Sequence, residues 1–243
     1  MATLLERPST GAASTTTALE RRWLGRIDYR EAWALQKGLL AERAAGVIGD
    51  QLLLLEHPAV LTLGRHASDD HVIATAATLG ARGIEVIRVE RGGEVTYHGP
   101  GQLVAYPIVH LADRRLLLRP FVRALEAAMV ETCAAYGIAA ARRDGYPGCW
   151  VDAAGVDPRK IGALGVRMER GVSYHGIALN VTTALADYGL LDPCGMPGLT
   201  VTSVAAEIGR PDAIPTTNSV EAAAGIFAEA LERQLADHAA EAP

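Results

Sequence analysis

Residues 91–102, Arg91-Gly92-Gly93-Glu94-Val95-Thr96-Tyr97-His98-Gly99-Pro100-Gly101-Gln102, set four glycines around a tyrosine and a histidine. The segment lies between two stretches that read as buried strands. Upstream, Ile84-Glu85-Val86-Ile87-Arg88-Val89 alternates apolar and charged residues; downstream, Leu103-Val104-Ala105-Tyr106-Pro107-Ile108-Val109 is almost wholly apolar. The loop therefore joins two core elements. Glycine reaches positive φ angles and lets main-chain amides approach a ligand with no Cβ in the way. A long hairpin turn uses the same residue types. Tyr97 and His98, held between the glycine pairs, mark the segment as a candidate site.

Around this loop the chain has enough apolar residues for one full core. It is 243 residues long and 49% hydrophobic, within the range of a single α/β domain, assigned here to residues 18–243. Residues 1–17 are rich in Ser, Thr and Ala, contain Pro8 and Gly11, and lack the apolar run of a secretion signal, so they read as a disordered tail. A net charge of −5 gives no reason to expect nucleic-acid binding. No window approaches the roughly 18 unbroken apolar residues that span a bilayer. Cys133, Cys149 and Cys194 show no metal-type spacing, and no histidine pair does. Such a sparse, odd set fits reduced thiols in a cytoplasmic protein with no metal site.

Periodicity gives the remaining elements. A short strand over 23–27 leads into a helix over 29–45, with Asp28 and Glu31 at capping-box spacing and Gly46 at its end. Strands follow over 50–56 and 60–63, then a helix over 74–81. The strongest helix covers 120–136: Pro120 suits its first turn, Phe121, Leu125, Ala128, Met129 and Cys133 share one face, and Gly137 stops it. Strands over 138–141, 148–151, 160–167 and 172–180 are separated by the turn signals Asp144-Gly145 and Arg170-Gly171. A helix is expected over 200–208 and an alanine-rich amphipathic one over 219–236. The fold class is α/β (α+β), a mixed β-sheet flanked by helices.

Several polar residues stand out for chemistry. Only Lys37 and Lys160 among the 23 basic side chains are lysine. A lysine amine can lose its proton and act as a base, which arginine does not. Lys37 sits in a helical pattern and reads as a solvated surface residue, whereas Lys160 adjoins the glycine-rich run Ile161-Gly162-Ala163-Leu164-Gly165. Cys133 and Cys149 read as core. Cys194, in Leu191-Asp192-Pro193-Cys194-Gly195-Met196-Pro197-Gly198, lies in a loop and reads as functional. A reactive cysteine needs a neighbouring cation or base, for which Lys160, His98 and His175 are candidates. His57 and His66 flank the early strands and are candidates to line the same cleft.

Taken in order, four motifs carry a specific resemblance. They are the 91–102 loop followed by Leu103-Val104-Ala105-Tyr106-Pro107; Lys160-Ile161-Gly162-Ala163-Leu164-Gly165-Val166-Arg167; Tyr174-His175-Gly176-Ile177-Ala178-Leu179-Asn180; and Pro193-Cys194-Gly195. Over residues 23–210 the chain resembles the octanoyltransferase family, also called lipoate-protein ligase B. The resemblance implies a fold similar to the catalytic domains of biotin and lipoate protein ligases. It implies transfer of an octanoyl group from octanoyl-acyl carrier protein to a lysine of lipoyl domains, those of the 2-oxoacid dehydrogenase complexes and the glycine cleavage H protein, with no cofactor. It carries the acyl-thioester nucleophile onto Cys194 and its activating residue onto Lys160. Substrate contacts fall on Arg91 to His98, on Ala163, Leu164 and Gly165, and on Gly176, Ile177 and Ala178. The glycine and alanine surfaces would leave a slot for the eight-carbon chain.

Three other readings use the same residues. An ATP-dependent lipoate or biotin ligase of the same fold would need no cysteine nucleophile. A non-catalytic acyl-binding module would use the slot without turnover, and a cysteine hydrolase would admit water to the acyl-enzyme. Because acidic protein substrates would meet an acidic enzyme, a local docking face is expected from Arg114, Arg115, Arg119, Arg123, Arg142 and Arg143.

Overall fold

The computed structural model describes residues 18–209 and 219–240; the tail expected over 1–17 lies outside the described residues. In chain order the elements are β1 (Glu20–Arg26), α1 (Tyr29–Ala44), β2 (Gln51–Glu56), β3 (Val60–Leu63), α2 (Ala76–Ala81), β4 (Glu85–Arg88), β5 (Val95–His98) and β6 (Gln102–Ile108). Then come α3 (Leu118–Ala135), β7 (Ala140–Arg143), β8 (Tyr146–Val151), β9 (Arg159–Glu169), β10 (Val172–Asn180), α4 (Val204–Glu207) and α5 (Ser219–Ala240).

Seven strands form one sheet in the order β1-β2-β6-β10-β9-β8-β7, and β4-β3-β5 form a small second sheet. The large sheet is mixed: β1 and β2 run parallel and the other neighbours antiparallel. Helices α3 and α5 cover one face. The α3 residues Phe121, Leu125, Ala128, Met129 and Cys133 are all fully buried there, as their spacing predicts. A large buried apolar side chain such as Phe121 or Leu125 contributes roughly 2 kcal/mol. Helix α1 packs on the opposite face through Ala32, Leu39 and Leu40. Its start is fixed by Asp28, whose carboxylate accepts from the amides of Arg30 and Glu31.

Two expectations change. Residues Val95 to His98 are not a turn: they form β5, which pairs antiparallel with β3. The sequence hid this because the glycines on both sides make a four-residue strand look like loop. The helix expected over 200–208 shortens to α4. The residues before it pair instead with β9, Lys160 N donating to Thr200 O and Thr202 N to Lys160 O, each at 2.9 Å. A tertiary ladder has overridden local helix preference.

Candidate active site

Between the two sheets lies a cavity of about 340 Å³. The small sheet and the loop before β5 contribute Arg91, Gly93, Glu94, Val95, Thr96 and His98 to its wall. Strand β9 contributes Lys160, Ala163, Leu164 and Gly165, and β10 contributes His175, Gly176, Ile177 and Ala178. Cys194 and Met196 close it from the later loop. Residues from all four motifs therefore meet around one hollow. The loop can press this close to the sheet because Gly165 has no side chain: a Cβ there would stand 2.6 Å from Gly92 O.

Two residues of the 91–98 run are placed elsewhere. Gly92 donates its amide to Val166 O at 3.1 Å, holding the loop onto β9. Tyr97 points to the far side of the small sheet, where its hydroxyl donates to Asp187 at 2.8 Å. Strand alternation explains this: Thr96 and His98 face the cavity, so Tyr97 must face away.

Cys194 sits in a tight 3₁₀ turn with φ 59° and ψ 22°, a left-handed conformation uncommon for cysteine. The turn is held from below. Asp192 N donates to His71 O at 2.8 Å, and His71 Nδ1 meets Glu94 Oε2 at 3.0 Å. A Cβ on Gly195 would lie 2.9 Å from the His71 ring and 3.3 Å from Glu94 Cγ, so the next residue rests directly on that pair.

Lys160 Nζ lies 3.2 Å from Cys194 Sγ, although 34 residues separate them. The amine is nearly buried and stands 5.1 Å from the centroid of the Trp150 ring. Its backbone is pinned to Thr200 and Thr202, six and eight residues past the cysteine. The β9 strand and the cysteine loop are thus fixed to each other by main-chain bonds, independently of the side chains.

His98 has both ring nitrogens engaged. Nδ1 is 2.8 Å from Gln102 Oε1, and Nε2 is 3.4 Å from Thr62 Oγ1. The Gln102 amide nitrogen faces Tyr97 O and Asn180 Oδ1, so its oxygen must accept from His98 Nδ1–H. Nε2 is then the acceptor for the Thr62 hydroxyl, which itself accepts from Arg91. Burial, with the nearby His57 and Arg91 adding to it, holds His98 well below the usual imidazole range. It is a neutral wall residue with both ring nitrogens engaged.

His57 lies behind this wall. It donates from Nδ1 to Ile27 O at 2.8 Å and accepts from Tyr106 at 2.9 Å, and burial brings it down to about 4. His175 lines the cavity with φ 55°; burial brings it down to about 3. His66 is exposed. Lys37 lies on α1 with 40% of its side chain exposed, as expected, and there it pairs with Glu90 at 2.5 Å and donates to Tyr174 at 3.0 Å. Tyr29, Tyr106, Tyr146, His71 and Glu94's partnership with it were not legible in the sequence. Tyr29, Tyr146 and His71 lie outside the four motifs, and although Tyr106 and Glu94 lie within the first, nothing local there shows what they touch.

The expected arginine face is divided. Arg114 is nearly buried and pairs with Asp50 at 2.5 Å, so it belongs to the core side of β2. Arg123 and Arg142 both pair with the buried Glu126, at 3.2 and 3.3 Å. Arg143 lies 4.9 Å over the ring of Tyr146, a cavity residue.

The mixed sheet thus carries a lysine and a cysteine in contact beneath a glycine-rich loop, at one wall of a single cavity. Residues 28–227 match the model for the lipoyl protein ligase A/B catalytic domain. An octanoyltransferase of Chloroflexus aggregans is 47% identical over 188 residues, 77% of this chain and 84% of that protein. One from Nocardia farcinica is 40% identical over 233 residues, 96% of this chain and 90% of that protein. The chain belongs to the octanoyltransferase family, and it is an acyltransferase of octanoyl transfer in lipoate biosynthesis. Solved structures share the fold at lower identity. A lipoate-protein ligase A bound with ATP aligns with TM-score 0.62 at 18% identity, covering 92% of this chain and 94% of the other. A bipartite lipoate protein ligase from Thermoplasma acidophilum aligns with TM-score 0.63 at 16% identity, covering 92% of each.

Proposed function

We propose that octanoyl transfer here proceeds through a thioester on Cys194, with octanoyl-acyl carrier protein as donor and a lysine of a lipoyl domain as acceptor. The contact between Lys160 Nζ and Cys194 Sγ at 3.2 Å carries this reading, since it joins a nucleophile to a proton carrier at one end of an apolar cavity.

In the first half-reaction the Cys194 thiolate attacks the donor carbonyl. An S–C bond forms, the donor S–C bond breaks, and the departing thiolate takes a proton from the Lys160 ammonium. In the second half-reaction the acceptor amine attacks the acyl-enzyme, the amide forms and Cys194 leaves as thiolate. The proton shed by the amine returns to Lys160, which restores the starting pair. Protons balance over the cycle, and because a thioester is exchanged for a thioester and then an amide, no nucleotide enters. The cavity would hold the chain: at roughly 0.8 kcal/mol per methylene, burying about six of them stabilises the complex by about 5 kcal/mol.

Acceptors of this kind, the lipoyl domains of 2-oxoacid dehydrogenase complexes and the glycine cleavage H protein, reach the Lys160 end of the cavity past Tyr146. All three cysteines are free thiols, which supports a cytoplasmic setting. Among the described residues no helix is long and apolar enough to cross a membrane.

Mass spectrometry of the intact protein after mixing with octanoyl-carrier protein, without ATP, is the direct test. The expected result is one octanoyl adduct, lost in Cys194→Ala together with transfer to the lipoyl domain. An adduct on another residue with turnover intact, or transfer that requires ATP, would overturn the proposal.

A further inference from the structure

Besides Lys160 and Cys194 the cavity wall carries a second polar group. Tyr29, Tyr106, His98, His175 and Arg91 form it, all of them buried. The Arg91 guanidinium donates to Thr62 O, Thr62 Oγ1 and Gly92 O, neutral oxygens all. His175, 1% exposed and part of the cavity wall, has a buried Nε2 with no hydrogen-bond partner among the described residues. The side-chain nitrogen of Gln36 is in the same condition, and the oxygen of that amide accepts from His175 N at 2.7 Å. Buried polar atoms normally have partners, so this part of the wall asks for one.

Distance along the sheet shows what can supply it. The Lys160 amine lies at the level of Gly162, because a Cβ on Gly148 would touch both Lys160 Cε and Gly162 O. Val166, the cross-strand partner of His175, is four residues further along β9, roughly 13 Å at about 3.3 Å per residue. An extended eight-carbon chain spans about 9 Å, at roughly 1.25 Å of advance per bond. Measured along the sheet, the methyl end of an octanoyl group therefore ends roughly 4 Å before the level of His175, and a chain carrying one more atom ends roughly 3 Å before it, at hydrogen-bonding range.

We infer that this cavity accepts acyl chains ending in a hydrogen-bonding group, a terminal hydroxyl above all, with His175 as the residue that recognises it. A hydroxyl both donates and accepts, so it satisfies a neutral imidazole whichever nitrogen faces it. An all-apolar pocket would instead reject the hydroxyl for want of a partner. The inference rests on the cavity holding the acyl chain with its carbonyl at Cys194.

The test compares two thioesters of carrier protein with equal numbers of chain atoms, nonanoyl and 8-hydroxyoctanoyl, using the full-length protein. The reading is the ratio of their kcat/KM values for amide formation, which cancels any difference in folded fraction. We expect the hydroxylated chain to be used at least as well as nonanoyl. In His175→Leu the ratio should fall about tenfold. His175→Asn tolerates the left-handed backbone and keeps polar atoms, and should fall less. A wild-type enzyme that disfavours the hydroxyl chain tenfold or more overturns the inference, even if the leucine variant does not fold. So does an unchanged ratio in a folded His175→Leu. The ratio is read from amide product, whatever atom carries the acyl group, so failure of the Cys194 thioester would appear separately as a missing adduct.

Discussion

Gly148 makes room for Lys160. With φ +130°, it passes so close to the lysine that an added Cβ would stand 2.8 Å from Lys160 Cε and 2.4 Å from Gly162 O. Its amide is held in place by the buried carboxylate of Glu126, at 3.0 Å. Gly148→Ala should therefore displace the amine from Cys194 as well as strain the backbone. A displacement of about 1 Å at reacting groups commonly costs on the order of a hundredfold in rate. Single-turnover acylation of Cys194 measures it; a Gly148→Ala enzyme with the wild-type rate would show that the amine does not need this slot.

Removing the amine itself should be more severe. Lys160→Met keeps the length of the stem and leaves no proton carrier beside the sulfur. We expect transfer to drop by about 10² to 10⁴. His98→Gln, by contrast, changes a wall residue whose nitrogens are both engaged, and should raise KM more than it lowers kcat. If His98→Gln proves as damaging to kcat as Lys160→Met, the division of roles drawn from the hydrogen bonds is wrong.

The turn beneath Cys194 gives a further test. His71→Ala keeps the carbonyl that holds Asp192 N but removes the ring on which Gly195 rests and the partner of Glu94. The left-handed cysteine is then less firmly placed; residues held in such conformations cost about 1 to 3 kcal/mol and depend on their surroundings. Alkylation of Cys194 by iodoacetamide should slow about tenfold, with the melting temperature little changed. An unaltered alkylation rate would remove His71 from the positioning of the sulfur.

Stability should depend on pH below neutrality. Burial holds the folded His57 at about 4 and His175 at about 3, against about 6.5 for an unfolded histidine. Their folded values are depressed, so the unfolded chain binds more protons as pH falls below 6.5. The stability they contribute is full above that value and is lost progressively down to about pH 4 and 3. For His57 the total is on the order of 3 kcal/mol. Urea midpoints should fall between pH 7.5 and 5, a range in which ordinary carboxylates stay ionised. The fall should be smaller in His57→Gln, and a flat profile in the wild type would contradict the burial of both imidazoles.

At the mouth of the cavity, Arg143→Glu reverses a charge that no acidic side chain of the described residues is seen to pair. KM for the carrier protein should rise several-fold at low salt and converge on the wild-type value at high salt, with kcat preserved. Arg123 and Arg142 are poorer sites for this test because Glu126 already engages them. A KM indifferent to both charge and salt would move the docking surface elsewhere.

Much of this protein is written in local pattern. The α3 stripe from Phe121 to Cys133, the Asp28 cap, the turn at Arg170-Gly171 and the full extent of β10 follow from side-chain period and turn chemistry, which act over a few residues and so survive in the bare sequence. The order of the four motifs likewise carried the family. Only the folded chain could decide what those motifs do to one another. It sent Tyr97 away from the cavity, because a four-residue strand alternates. It engaged both nitrogens of His98 through Thr62 and Gln102, 36 residues before it and 4 after. It brought Lys160 to Cys194 by pairing β9 with residues 200–202, at the expense of the helix that local preference favours. Those outcomes depend on contacts between distant segments, whose energy exists only once the sheet has formed.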